Sequence, residues 1–222
     1  QTLTGTNAYT IVISSADATG STAAEFNTIN GLTTEAIDAS AVTGLAKDTI
    51  ENIRTLLTAG NDTAQFTDNS FSQLSAVSVF NVTNYLANNT DLANFFSPTN
   101  GFITTEQQEA GAIKHYNDFG FNEGRNDGSL DVTDLNEAIT EANIATGTTE
   151  TVFTITSGST INGGSDVEFS TLLANEELGN ISITNQNLTV DSGSISINEL
   201  NLLSATTTGT VTASITTTES VN

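Results

Sequence analysis

The chain has 222 residues, of which 36% are hydrophobic and 14% are charged, and its formal net charge is −22. With only four basic residues it has no Lys/Arg cluster to bind phosphate, which argues against nucleic acids and anionic membrane surfaces as partners. The absence of cysteine excludes disulfides and thiolate-bound metals, and no apolar run approaches the ~18 residues of a membrane span. Such an acidic surface should attract cations, above all calcium.

Residues 1–77 are predicted to form strand–helix repeats. The segment EFNTING at 25–31 follows the β-branched run Thr10–Ile13, and a second strand is expected over Glu35–Ala39. Similar segments recur as TIENIRTLL at 49–57, with Asp48 as the expected helix cap, EFSTLLA at 168–174 and INELNLL at 197–203. A strand–helix unit that recurs roughly every 23–28 residues is typical of repeats that bury a core between stacked neighbours.

Residues 78–146 are predicted to form a helical module. Apolar residues have helical spacing over 82–86 and 92–96, and the only proline, Pro98, ends this stretch. Further helices are expected over 106–119 and 134–143. The module contains most of the aromatic residues, which we interpret as its core rather than as a ligand cage: Phe80, Tyr85, Phe95, Phe96, Phe102, Tyr116, Phe119 and Phe121.

Residues 147–222 are predicted to return to strand-rich repeats. Strands are expected at Thr151–Ile155, Gly179–Thr184, Leu188–Val190, Gly193–Ile197 and Gly209–Ile215. Together with the first repeats they should add to one sheet. The expected fold class is therefore α/β, with solenoid-like strand–short helix repeats and a small inserted α-helical module.

The helical module contains two distinctive stretches, YLANNTDLANFF at 85–96 and IKHYNDFGFNEGRNDG at 113–128. They resemble a module of large secreted bacterial and cyanobacterial surface repeat proteins, where it often lies beside haemolysin-type calcium-binding repeats. That resemblance implies a secreted or cell-surface protein of layers, adhesion or matrix, although the chain lacks the G-G-x-G-x-D runs of calcium rolls. The matching residues are Tyr85, Leu86, Ala87, Asp91, Leu92, His115, Tyr116, Gly120, Glu123, Gly124 and Arg125.

One acidic stretch of the module is a candidate calcium site. If a glycine takes the sixth position of an EF-hand-like loop, then Glu123, Asp127, Asp131 and Asp134 supply oxygens at positions 1, 5, 9 and 12. Arg125 at position 3 argues against this arrangement, because it cannot be a ligand and repels the ion.

An alternative is that the same stretch begins a helix. GSLDVTDLN at 128–136 parallels SVFNVTNYL at 78–86. In that case Asp131 and Asp134 are acids at a helix N-terminus, stabilised by the helix dipole.

No catalytic centre is predicted. His115 is the only histidine, and we expect it to have a structural role by bonding backbone carbonyls at a helix end. Arg125 should close a turn by pairing with Glu123 or another acid. The absence of tryptophan argues against a glycosidase, which would need aromatic sugar platforms.

The sequence therefore predicts a non-enzymatic extracellular structural protein that assembles into a surface layer, filament or matrix, with calcium assisting. Its expected partners are copies of itself or a continuing repeat chain, through the Thr/Ile/Val-rich segments Thr2–Ile13 and Val211–Thr218. The alternative is a carbohydrate- or surface-binding adhesin module, whose partner would be a surface glycan.

Overall fold

The computed structural model describes residues 7–14, 20–120, 122–123, 125, 128–147, 151–155, 158–192 and 195–214. These residues form an α/β fold with two four-stranded sheets. The helices are α1 (Ala23–Asn30), α2 (Ile50–Gly60), α3 (Val82–Asn88), α4 (Thr90–Phe95), α5 (Thr105–His115), α6 (Val132–Thr146), α7 (Asp166–Glu177) and α8 (Ile197–Thr206). The strands are β1 (Gly44–Asp48), β2 (Ala76–Val79), β3 (Ser129–Asp131), β4 (Val152–Ile155), β5 (Thr160–Ser165), β6 (Ile181–Ser182), β7 (Asn187–Ser192) and β8 (Val211–Thr212).

The strands belong to two sheets, so the expectation of a single sheet is wrong. The strand order is β1-β2-β4-β6 in sheet 1 and β3-β5-β7-β8 in sheet 2. The β1–β2, β3–β5, β5–β7 and β7–β8 pairs are all parallel. A helix separates the two partners along the chain in each of these pairs, as parallel pairing requires a crossover. Single parallel bridges also join Asn7 to Thr33, Val12 to Asp38 and Ile37 to Phe66.

The chain divides into two compact units, each made of separate stretches. Unit 1 contains the described residues of Gln1–Val79, Glu137–Thr154 and Leu178–Ile181. Unit 2 contains those of Phe80–Asn136, Ile155–Glu177 and Ser182–Asn222.

All four copies of the repeated segment form helices, namely α1, α2, α7 and α8. In α1 the Thr22 hydroxyl accepts a hydrogen bond from the Glu25 backbone N–H (3.3 Å), and the Glu25 carboxylate accepts one from the Thr22 N–H (3.0 Å). Ser196 and Glu199 form the same reciprocal pair at the start of α8. Such capping boxes satisfy two helix donors at once, which explains why helices begin at these points.

One predicted strand is wrong in the part that the structure describes. Gly193–Ile197 was expected to be extended, but Ser196 is the N-cap of α8 and Ile197 is its first residue. Capping by the serine outweighs the β propensity of the neighbouring isoleucines. The helices predicted over 106–119 and 134–143 are confirmed as α5, which continues into a π-helical turn at Tyr116–Gly120, and α6.

Asp48 links the first two helices of unit 1. Its buried carboxylate accepts hydrogen bonds from the Ala24 N–H (2.7 Å) and the Thr49 N–H (2.7 Å). It also accepts one from the Asn52 side-chain amide at 2.9 Å. Thr49, not Asp48 as predicted, is the N-cap of α2. Burial raises the pKa of Asp48 above its ordinary value, and the hydrogen bonds oppose that shift.

The core of unit 1 includes three aromatic rings in edge-to-face and tilted contact. Phe71 lies 6.4 Å from Phe26 and 5.2 Å from Phe66 between ring centroids, and each ring is at most 2% exposed. α2 packs into unit 1 with the apolar stripe that its spacing predicted.

Candidate functional site: the motif cluster of the helical module

The motif residues of unit 2 converge on Arg125. Its guanidinium forms a two-pronged ion pair with Asp91, with N–O distances of 3.1 and 3.0 Å. It also donates to the Asn89 side-chain oxygen at 2.9 Å and to the Glu123 carboxylate at 2.6 Å. The predicted pairing of Arg125 with Glu123 is confirmed, and Asp91 at the start of α4 is a second acidic partner. We call these four residues the Arg125 clamp.

The electrostatics of the clamp are those of a strong ion pair near the surface. The hydrogen bonds from Arg125 hold the pKa of Asp91 below its ordinary value, and the two carboxylates raise the pKa of Arg125. The Arg125 side chain is 24% exposed, whereas that of Asp91 is 63% exposed. The two parallel hydrogen bonds fix the orientation of this pair more tightly than a single contact between flexible side chains would.

His115 is held in an aromatic setting. Its Nδ1 lies 2.9 Å from the Tyr85 hydroxyl, so its partner is a phenol rather than the backbone carbonyls that we expected. The imidazole also contacts the rings of Phe96 and Phe119, at centroid distances of 6.1 and 5.7 Å. Burial raises the pKa of Tyr85 to about 12, so its hydroxyl keeps its proton at neutral pH. A Cβ at Gly120 would overlap that hydroxyl, which explains the glycine there.

The prediction that the aromatic residues form the core of the module is confirmed for Phe80, Tyr85, Phe96 and Tyr116, and Phe102 packs against them, whereas Phe121 lies outside the described residues. The buried cluster consists of Phe80, Val82, Tyr85, Leu92, Phe96, Ala112, Ile113 and Tyr116. Phe95 and Phe119 lie at its border and are 56% and 57% exposed. The cluster surrounds His115 with apolar packing and a protonated phenol, an arrangement that favours a structural role for the histidine.

Two of the candidate calcium ligands lie at the start of a helix. Asp131 ends β3, and its carboxylate accepts hydrogen bonds from the backbone N–H groups of Thr133 (2.8 Å) and Asp134 (3.4 Å). Asp134 lies in the first turn of α6. At the start of α3, the Asn81 side chain accepts a hydrogen bond from the Asn84 N–H at 3.0 Å in the same way. The parallel between the two sequence stretches is therefore a shared capping arrangement, in line with the helix alternative.

The other two candidate ligands do not complete a site within the described residues. The Glu123 carboxylate is paired with Arg125, and Asp127 lies outside the described residues. Across the described part of the chain, no group of three or more His, Cys, Asp or Glu side chains is placed to hold a metal ion. Calcium binding at Glu123, Asp127, Asp131 and Asp134 stays a prediction, and coordination by Glu123 would require it to leave Arg125.

Unit 1 contains a polar groove between α1 and α2 that sequence reasoning missed. Its volume is about 510 Å³, and we call it the α1–α2 groove. Helical spacing marks which residues share a helix face, but it does not show that two polar faces meet. The groove is lined by Asn27, Asn30, Glu51, Arg54, Thr55, Thr58, Ala59 and Gln65.

Comparison with protein families, curated proteins and solved structures found no match to the chain. The resemblance to bacterial surface repeat proteins therefore rests on the motif residues alone. No helix in the described part of the chain is long and apolar enough to cross a membrane.

Proposed function

We propose that the protein is a non-enzymatic extracellular structural protein. Its strand–helix units form a solenoid-like framework into which the helical module is inserted. The framework associates with copies of itself into a surface layer, filament or matrix. The observation that supports this most is the parallel pairing of short strands across one intervening helix, which occurs at β1–β2 in sheet 1 and at β5–β7 and β7–β8 in sheet 2. Such a unit cannot bury its apolar face alone, and it needs a neighbour on each side.

The edge of sheet 2 at β8 is the proposed contact. β8 is the last strand in the order, and no further strand pairs with it among the described residues. In a parallel ladder, successive residues of a strand direct their N–H and C=O groups to opposite sides of that strand. The Leu188 N–H donates to the Thr210 carbonyl at 2.9 Å, so Thr210 faces β7, and the N–H and C=O of the next residue, Val211, point away from β7. Outward backbone N–H and C=O groups at a sheet edge form hydrogen bonds when a strand from another molecule adds to the sheet.

The opposite edge of sheet 2 is occupied by side chains. The Thr160 N–H donates to the Gly128 carbonyl, so the neighbouring Ser129 carbonyl points away from β5. That carbonyl accepts hydrogen bonds from the side-chain amides of Asn81 and, at 2.7 Å, of Asn84. The start of α3 therefore covers β3 where another strand would bind.

Calcium is proposed to assist assembly by bridging acidic surfaces. The chain has 26 acidic and four basic residues, so copies that approach each other repel. A divalent cation with carboxylate ligands from two copies removes that repulsion where the surfaces meet.

Analytical ultracentrifugation over a range of protein concentrations, with millimolar calcium or with chelator, tests the proposal. We expect particles larger than the monomer in calcium. Val211→Pro should reduce association, because it removes the outward N–H without removing a ladder bond to β7. Val211→Thr keeps that N–H and is the matched control. Wild-type protein that stays monomeric at high concentration with calcium present would refute the proposal.

A further inference from the structure

The α1–α2 groove has two polar ridges with regular spacing. Glu51, Thr55 and Thr58 follow one another along one face of α2 at intervals of four and three residues. Asn27 and Asn30 lie three residues apart on α1 and face them across the groove. Side chains of the described residues form no hydrogen bond to the Glu51 carboxylate or to the two threonine hydroxyls, so these groups face solvent in the groove.

Hydrogen bonds to the protein orient the amides of the groove. The Asn27 amide donates to the Asn52 carbonyl at 3.0 Å, and the Asn30 amide donates to the Gln65 side-chain oxygen at 2.8 Å. The Gln65 amide in turn donates to the Asp62 carboxylate at 2.9 Å. Each bond uses one of the two N–H donors of an amide and fixes its plane, which leaves the other donor for a ligand. A site whose polar groups are already oriented loses little entropy on binding.

The lining of the groove contains two charged residues, Glu51 and Arg54. Arg54 forms an ion pair with Glu137 on one side, and the remaining charge on the lining is the Glu51 carboxylate. The net charge of −22 repels anions, and the one carboxylate of the lining that is outside an ion pair is fewer than the several oxygen ligands that a bound divalent cation requires. The ligand that fits best is uncharged and rich in hydroxyl groups.

We propose that the α1–α2 groove binds a neutral saccharide. Sugar hydroxyls both donate and accept hydrogen bonds, and they match the mixed amides, hydroxyls and carboxylate of the lining. The C–H faces of a sugar ring fit against Ala59 and the threonine methyl groups. The volume of about 510 Å³ lies within the ~300–1,000 Å³ range of small-molecule sites. Saccharide binding goes beyond the structural role proposed above, and it gives the alternative function, a carbohydrate-binding adhesin module, a specific site.

Titration calorimetry and NMR of the whole chain with cellobiose, maltose, lactose and N,N′-diacetylchitobiose test this proposal. We expect at least one of the four to bind and to shift amide signals of α1 and α2. The double variant Thr55→Val/Thr58→Val keeps side chains of similar shape but removes both hydroxyls, and we expect it to weaken binding about tenfold or more. Thr171→Val, an exposed threonine change on α7, is the matched control and should bind like the wild type.

Three results would overturn the groove as a saccharide site. These are no binding of any of the four sugars at millimolar concentration, equal binding by the double variant, or binding of digalacturonate in place of the neutral sugars. Circular dichroism and thermal unfolding of both variants show whether the fold is kept. Sedimentation of the double variant in calcium separates the two proposals, because loss of sugar binding should leave association through β8 unchanged.

Discussion

The four side-chain hydrogen bonds of Arg125 join parts of the helical module that are far apart in the sequence. Asp91 is 34 residues before Arg125, and Asn89 is 36 residues before it. Because a guanidinium has a fixed planar fork of donors, it can hold Asp91 with two parallel bonds while also binding Asn89.

Arg125→Lys should destabilise unit 2, because a lysine cannot reproduce the two-pronged pair with Asp91. Urea denaturation of the wild type and the variant measures the difference in their free energies of unfolding. That difference should also depend on pH. Since the pKa of Asp91 is lowered in the folded protein, its stabilisation is complete above the unfolded pKa of about 3.9 and is lost as pH falls through the lower folded pKa. A difference that stays constant down to pH 2 would contradict the ion pair as its source.

His115→Ala should destabilise the module by about 1–3 kcal/mol, because it leaves the buried Tyr85 hydroxyl without its partner. The double change with Tyr85→Phe removes the orphaned hydroxyl as well, and we expect it to recover part of the loss. Thermal and urea unfolding of the single and double variants measure the coupling. A specific hydrolytic activity that disappears in His115→Ala would overturn the structural assignment.

The contribution of Asp48 to stability should depend on pH in the opposite direction to that of Asp91, and Asp48→Asn tests this. Because burial raises the folded pKa of Asp48 above its unfolded value, the folded protein binds this proton more tightly than the unfolded chain does. The wild type should therefore gain stability relative to Asp48→Asn as pH falls from neutral through the folded pKa to the unfolded one. Urea denaturation of both proteins over this range tests the prediction, and a shift in favour of the variant would contradict it.

At the scale of elements, the glutamates of three of the four repeated segments, Glu25, Glu168 and Glu199, are helix-capping residues. Hydrogen bonds from Ser165 lower the pKa of Glu168, and those from Ser196 lower the pKa of Glu199. Both carboxylates lie at the third position of their helices, near the positive end of the helix dipole.

Ser196→Ala should cost about 1 kcal/mol, because it removes the side chain that accepts the Glu199 N–H. The same substitution at exposed Ser204, inside α8, is the matched control and should be neutral or slightly stabilising, since alanine is the better helix former. Equal effects of the two changes on the free energy of unfolding would show that capping by Ser196 is not significant.

Local patterns predicted these helices but did not predict the partners of the strands. The spacing of Ile53, Leu56 and Leu57 marks one helix face, and the structure buries all three. A strand of two residues such as β6 carries too few side chains to specify its neighbour, so the division into two sheets could not be predicted. The contact between Asp91 and Arg125 depends on how α4 packs, which short-range sequence patterns do not encode.

At the scale of the whole molecule, the net charge of −22 should make stability depend on ionic strength. The negative charges lie closer together in the folded chain than in the expanded one, so they repel one another more strongly when the chain is folded. Salt screens that repulsion over a Debye length of about 8 Å at physiological ionic strength. We therefore expect the melting temperature to rise with sodium chloride and to rise further with calcium chloride at equal ionic strength. Differential scanning calorimetry measures both series, and a fall in melting temperature with added salt would contradict self-repulsion.

The amide groups of Asn81 and Asn84 at β3 have a consequence for symmetry. These two amides donate hydrogen bonds to the outward carbonyl of Ser129 and so occupy the β3 edge. Among the described residues, sheet 2 therefore has a free edge at β8 only. Two copies joined through that edge present the same surface to each other, which is the geometry of a two-fold dimer. Such a dimer is closed and does not grow. Chelator should therefore leave dimers, and calcium bridges between dimers should produce the larger layer or filament.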